Sequence, residues 1–283
     1  MAKTRCKTIR LKIFNKQIRC HLCGVSAYTN KVELIAMDPK QKLIKNWTDS
    51  SSNYSNLIKV ELNCFKKKAW TDIILENAGK TDKMDILDVG TGPGFFAIIM
   101  SQTGHRVTAI DCTEAMVNEA KANAENAGIT ADFCVSDGQD LEFEDESFDL
   151  IISRNVTWTL IDAPRAYREW KRVLKSDGKI IIFDANWNLR LFDEAAMKKY
   201  EEDQKEYEKL FGEAPPSYTA DMIDYRKSMP MCRRRRPQWD FNTLIELGYK
   251  KISCDMDIGD RVYDEKEKVK YRSSPMFMLV IEK

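Results

Sequence analysis

Apolar positions along this chain fall into two rhythms. From 38 to about 80 they recur mostly every three and four residues, at Leu57, Ile58, Leu62, Phe65, Trp70, Ile73, Ile74 and Leu75, which predicts helix until Gly79 stops it. From 85 onward, short apolar runs alternate with helical segments. Strands are predicted at 85–89, 106–111, 132–136, 148–153 and 179–184, with helices at 95–103, 114–127 and 164–174. Such alternation predicts a parallel sheet with helices on both faces. Residues 190–238 break the rhythm. A highly charged helical pattern at 192–211 ends at Pro215-Pro216, and a shorter helix is predicted at 220–227. The chain closes with a helix at 241–247, stopped by Gly248, and two strands at 250–257 and 276–282.

Length and charge narrow the class. The chain has 283 residues, a net charge of +1 and 43% hydrophobic residues, enough for one large domain or one domain with an added lobe. No uninterrupted apolar run is long enough to span a bilayer. The balanced charge gives no general pull toward nucleic acid or membrane. Eight cysteines are scattered, several inside strand-like runs, so reduced thiols and a cytoplasmic location are expected. The first twenty residues carry seven basic side chains and no acid; Ile9, Leu11 and Ile13 alternate with Arg10 and Lys12 in a strand period. Cys20-His21-Leu22-Cys23 is a single C-x-x-C pair, short of a tetrahedral zinc set, and no metal is expected. The expected organisation is a basic extension at 1–36, a helical lid segment at 37–80, a core at 81–189, a helical insert at 190–238 and a core-completing tail at 239–283.

Candidate chemistry concentrates in one stretch. The apolar run from Ile86 ends in an acid, Asp88, followed by Gly90, Gly92 and Gly94 and then an apolar helical segment from Phe95. Strand, tight glycine turn and helix start are implied, with the backbone open to a ligand. A dinucleotide loop would put its third glycine at 95, where Phe95 stands. A second acid, Asp111, ends the next strand about 20 residues on, where nucleotide-binding α/β folds set a carboxylate on ribose hydroxyls. Its plainer role would be to cap the following helix.

Asp88 with Gly90, Gly92 and Gly94 resembles motif I of the class I S-adenosylmethionine (SAM) dependent methyltransferases. The wider likeness covers most of 38–283 and is closest to the small-molecule subgroup that includes quinone-biosynthesis enzymes. It implies SAM as cofactor and an α/β, Rossmann-like, seven-stranded, mostly parallel sheet, with an antiparallel last strand, helices on both faces and a helical lid. It also implies roles for particular residues. Gly90, Gly92 and Gly94 would lie under the methionine part of SAM, and Asp111 would take the ribose. Cys112 and Met116 would pack near the adenine, and Asp137-Gly138 would receive its amino group. Arg154 and Asn155 would line the amino-acid end, and Tyr54 would fold over the cofactor.

Methyl transfer from a sulfonium requires alignment and a dry site more than a catalytic triad. None is visible, and the only histidines are His21 and His105. No catalytic residue is assigned; Asp184, Tyr54 and Asp162 are candidates for a base. The loop 156–159, Asn186-Trp187 and the insert are expected to shape acceptor specificity, with Trp158 and Trp187 walling a small-molecule pocket and Trp239 in the core. Arg233 to Arg236 could instead grip phosphate in RNA or protein methylation, or hold the lid shut on the acids of Glu201 to Glu208. A non-catalytic SAM-binding module and a thiol-rich metalloid methyltransferase are further alternatives. The expected partner is a small molecule, with no nucleic acid and no membrane; the oligomeric state is left open.

Overall fold

The computed structural model describes residues 38–283, apart from 81 and 216. The expected N-terminal extension and its C-x-x-C pair lie outside the described residues. Helix α1 (Pro39–Leu62) begins at a capping box in which Asp38 accepts from the Gln41 amide and Gln41 returns a bond to the Asp38 amide. Helix α2 (Phe65–Ala78) ends at Gly79 in the left-handed conformation. There follow β1 (Asp85–Val89), α3 (Phe95–Gln102), β2 (Arg106–Asp111), α4 (Glu114–Asn126), β3 (Asp132–Val135), β4 (Phe148–Arg154), α5 (Ala163–Val173) and β5 (Leu174–Asp184). The insert holds α6 (Glu194–Phe211) and α7 (Ala220–Ser228), and the tail holds α8 (Gln238–Glu246), β6 (Lys251–Asp255), α9 (Gly259–Val262), α10 (Glu265–Lys270) and β7 (Phe277–Glu282).

The seven strands form one sheet in the order β3-β2-β1-β4-β5-β7-β6. Strands β1 to β5 pair in parallel, while β7 runs antiparallel to both β5 and β6. Both faces are buried, as parallel sheets require. The residues alternate between them: Ile86, Leu150, Ile152, Ile181 and Phe183 pack toward α2 and α3, whereas Leu87, Val89, Ile151, Ile180 and Ile182 pack toward α5 and α8. Each such side chain contributes roughly 1.5–3 kcal/mol of burial. The chain winds outward from β1 through β2 to β3, then returns to place β4 on the other side of β1. That reversal opens a crevice at the carboxyl ends of β1 and β4.

Three expectations change in detail. Helix α2 is a core helix: Trp70, Ile73 and Ile74 are fully buried beneath the sheet, and α1 is fixed through Ile58 and Ser55. Only the first half of α1 therefore overhangs the crevice. Strand β5 begins at Leu174 and not at the predicted 179, and its pairing with β4 shifts register. The two closing strands are not joined by a tight hairpin, because α9 and α10 lie between them. The 190–238 insert is helical throughout its regular parts. Its Tyr225, Met229 and Cys232 pack with Leu43 of α1 and with Trp158 in a third apolar cluster.

Candidate functional site

The glycine turn is built by backbone bonds to the neighbouring strand. The Gly90 and Thr91 amides both donate to the Ile110 carbonyl, at 2.8 and 2.9 Å. Gly90 has φ +68, and a β-carbon there would stand 2.3 Å from Val156 Cγ2. Gly92 has φ +52 with nothing within 4 Å of its β-carbon position. The first glycine is thus fixed by close packing and the second by an open cradle above the turn. Asp88 sits beneath the loop, fully buried, and accepts from Thr91 Oγ1 at 2.6 Å. Burial raises its carboxyl to about 7 against the pull of Thr91 and Arg154.

Asp111 accepts from the Gly92 amide at 3.1 Å and the Thr113 amide at 2.9 Å, one on each oxygen. It both ties the loop and holds the start of α4. Each carboxylate oxygen has a second lone pair free for a hydroxyl donor. Burial raises its pKa, opposed by those two amides.

One pocket at the carboxyl ends of β1 to β4 is lined by Tyr54, Gly90, Gly92, Asp111, Cys112, Met116, Asp137, Gly138, Arg154 and Asn155. All were singled out in the sequence. Asp88 and Gly94 do not reach it; they support the loop from below, and the Gly94 β-carbon position packs 3.1 Å from Ala120 Cβ. Lys40, Leu43, Trp47, Val89, Ser136, Gln139, Val156, Thr159 and Leu160 complete the lining. Val156 and Gln139 simply follow predicted site residues, but nothing local marks Lys40.

Asn155 adopts φ +60, a strained conformation for a side-chain-bearing residue, and its buried Oδ1 has no hydrogen-bond partner. Arg154 pairs with Glu61 at 2.9 Å and lies over the rings of Phe95, Phe96 and Trp70. Asp137 pairs with Lys40 across the pocket mouth at 2.7 Å. Burial would lift the Asp137 pKa, but Lys40 and Gln139 pull it below the ordinary value. Tyr54 is half-buried, its ring edge-on to Trp47, and burial raises its hydroxyl pKa. Burial also pushes the Cys112 thiol up to about 11, so it stays protonated.

Other singled-out residues lie outside the cofactor pocket. Asp184 is not placed as a base. It is fully buried and accepts from Thr157 Oγ1, the Trp158 and Ala185 amides, and Arg236. Asp162 is exposed and caps α5 through the Arg165 amide. Trp158 is buried in the lid cluster, edge-on to Trp47 and Tyr225, and does not line the pocket. Trp187 lines a separate cavity beside the lid. Trp239 is half-buried against the core.

The arginine run does not act as one patch. Arg236 is buried between Asp184 and Asp240, Arg235 pairs with Asp193, and Arg233 and Arg234 lie over the Phe192 and Trp239 rings. None pairs with the acids of Glu201 to Glu208. Among the described residues, no three His, Cys, Asp or Glu side chains converge as a metal site would need, and no helix is long and apolar enough to cross a membrane.

Sheet order, crevice and glycine cradle together define the class I fold of SAM-dependent methyltransferases, and the methyltransferase domain model matches residues 87–182. The chain is a SAM-dependent methyltransferase of that class. It is 25% identical to a ubiquinone biosynthesis O-methyltransferase of Actinobacillus pleuropneumoniae serotype 7, over 80% of this chain and 97% of the relative. It is 34% identical to the uncharacterized methyltransferase YcgJ of Bacillus subtilis, over 35% of this chain and 40% of that one. Among solved structures it resembles a Methanococcus maripaludis protein assigned as an S-adenosyl-L-methionine-dependent methyltransferase. The TM-score is 0.56 at 22% identity, covering 83% of this chain and 93% of the other.

Proposed function

We propose that the chain methylates a small-molecule acceptor by in-line displacement, with the cofactor held in the pocket over the glycine turn. The observation that carries this reading is the convergence of an open cradle at Gly92, a two-oxygen acceptor at Asp111 and the unpartnered Asn155 Oδ1 in one pocket.

The residues present suit SAM. Asp111 takes the ribose hydroxyls, and Met116 and Cys112 pack beside the adenine. Asp137 accepts from the adenine amino group once it exchanges its bond to Lys40. Asn155 accepts from the ammonium, and Tyr54 covers the methionine end. When bound, SAM supplies a methyl group on a sulfonium, an electrophile open to displacement. Arg154 is tied to Glu61 and holds the wall of the site in place. Trp47 and Tyr54, with Trp158 packed behind Trp47, keep water out and fix the direction of approach. No side chain is assigned as a general base.

The small-molecule reading draws support from the relative named for ubiquinone biosynthesis. The dispersal of the arginine run also supports it, because Arg235 and Arg236 are taken up in ion pairs and the run does not offer a single basic patch to a phosphate backbone. Label transfer from methyl-labelled SAM into a metabolite extract tests it, with Asp111→Ala as control. Labelled low-molecular-weight product, lost in the variant, is the expected result. Label appearing only in RNA, DNA or protein refutes it.

A further inference from the structure

A second cavity, of about 220 Å³, lies beside the insert and is lined by residues of α6, the segment before α7, and the stretch leading to β7. Among the described residues no acid lines it, although Arg190 and Lys270 do. Arg190 is only 9% exposed. Among the described residues it has no carboxylate partner. Its guanidinium donates to the Trp187 carbonyl and lies 4.0 and 4.8 Å from the ring centres of Tyr200 and Tyr218. Arg226 lies 3.9 Å from the centre of the same Tyr218 ring, also lacks a carboxylate partner among the described residues, and leaves its Nε buried and unpaired.

A buried charge is normally paired, because leaving water without a counter-charge is costly. Cation–π contact with two tyrosines recovers only part of that cost. Two of the lining residues also carry buried neutral donors without partners, Trp187 Nε1 and Gln204 Nε2. The neighbouring acids of α6 are already engaged: Asp203 accepts from the Ser273 amide at 2.7 Å, and Glu206 pairs with Arg272 at 2.6 Å. Excess positive charge, idle donors and ring walls meet in one enclosure.

We propose that this cavity binds the anionic oxygen group, carboxylate or phosphate, of a flat aromatic acceptor, with Arg190 as its counter-charge. The assignment of this ligand as the methyl acceptor rests on the function proposed above. Trp187 and Tyr271, with ring centres 5.3 Å apart, border the cavity and pack on the same core cluster as Tyr54 of the cofactor pocket. Ring stacking against Tyr200, Tyr218 or Tyr271 would hold the flat body, and Arg190, Trp187 Nε1 and Gln204 Nε2 would hold the oxygens.

The test uses benzoate, phenyl phosphate and neutral benzyl alcohol as probes. Each is titrated by ligand-observed NMR against the wild-type chain, Arg190→Met and Lys270→Met. Thermal midpoints and calorimetric SAM affinity are measured on the same samples. At least one anion should bind, the tighter of the two naming the head group. Its affinity should fall tenfold or more in Arg190→Met and several-fold in Lys270→Met. Benzyl alcohol should bind more weakly than that anion and be indifferent to both changes. The thermal midpoint of Arg190→Met should hold or rise, since an unpaired buried charge is removed; a merely structural arginine would lower it. Equal binding of benzyl alcohol, or anion affinity retained in Arg190→Met, overturns the inference. If SAM binds and no anion does, this inference alone fails. If SAM does not bind the wild-type chain, the cofactor reading fails, while the anion titrations still decide the cavity.

Discussion

Replacing Arg236 with methionine should destabilise the fold more than any other change in the four-arginine run. The guanidinium makes four bonds. Nε and Nη2 reach the two oxygens of Asp240, both at 2.8 Å, Nη1 reaches Asp184 at 2.8 Å, and Nη2 reaches Thr157 at 2.7 Å. The side chains of Arg236, Asp184 and Asp240 are 1, 0 and 0% exposed. Without the arginine, Asp184 keeps three donors, from Thr157, Trp158 and Ala185. Asp240 keeps only the Tyr167 hydroxyl. The cost therefore falls mainly on Asp240. Removing one partner of a buried pair costs about 3–5 kcal/mol, a large share of the 5–15 kcal/mol typical of a domain. Lysine should not rescue the site, since an ammonium cannot span both carboxylates as the planar fork does. Urea unfolding measures the loss directly. Arg233→Ala and Arg234→Ala, both exposed, should stay within about 0.5 kcal/mol of wild type. Arg236→Met combined with Asp240→Leu should recover more than half of the loss, because the stranded charge goes with the arginine. A loss below about 1 kcal/mol for Arg236→Met, or no recovery in the double variant, would refute the reasoning.

Asp111→Ala should weaken SAM binding about 10- to 100-fold by calorimetry, the value of a charged acceptor for two hydroxyls; unchanged affinity would remove Asp111 from the ribose role. Gly90→Ala should lose about 2 kcal/mol or more of stability, since its β-carbon meets Val156 at 2.3 Å with φ at +68. Gly92→Ala, at φ +52 in open space, should lose only about 1 kcal/mol of stability yet bind SAM poorly; the reverse ranking by unfolding would contradict the cradle geometry. Asp88 keeps its proton in the native state up to about 7, whereas the unfolded chain releases it near 3.8. The contribution of Asp88 to the stability of the cofactor-free protein should therefore be largest below that window and fall by on the order of a few kcal/mol as pH rises through it. Asp88→Asn should flatten that slope, and an unchanged pH profile of urea midpoints would count against it.

The sheet was readable because its strands are bracketed by signals the backbone demands: apolar runs ending at Asp88 and Asp111, and glycines at 79, 128 and 248 where helices stop. Helices α9 and α10 were missed because they are four and six residues long, and α10 is almost wholly charged, so no apolar period marks it. Site residues that follow a strand end were found by position along the chain. Lys40 was not, as its partner Asp137 lies far away in sequence. For the same reason Asp184 read as a candidate base and Arg236 as part of a basic patch. Charge pairing across 52 residues leaves no local trace. Trp158 and Trp187 were visible as aromatics near the right strand ends, but whether an indole faces a cavity or a core is decided by the insert that packs on it.

Helix α1 has the mechanics of a lever. Its fulcrum is Ser55, hydrogen-bonded to Asn123, whose amide also holds the Pro93 carbonyl in the glycine turn. From there to Lys40 the arm runs on the order of 20 Å, at 1.5 Å per residue, and its tip is latched by the half-exposed Lys40 to Asp137. Lifting the arm breaks that ion pair, worth at most about 1 kcal/mol, and unseats Leu43 and Trp47, each worth about 1.5–3 kcal/mol. Nothing beyond the fulcrum has to move, so amides at 39–50 should exchange hydrogen faster than those at 55–62. A gap of about 3–7 kcal/mol leaves the raised state a rare minor population. The mouth can then breathe on its own while the floor of the pocket stays rigid, and the carboxylate that latches the closed arm is the one proposed to receive the adenine.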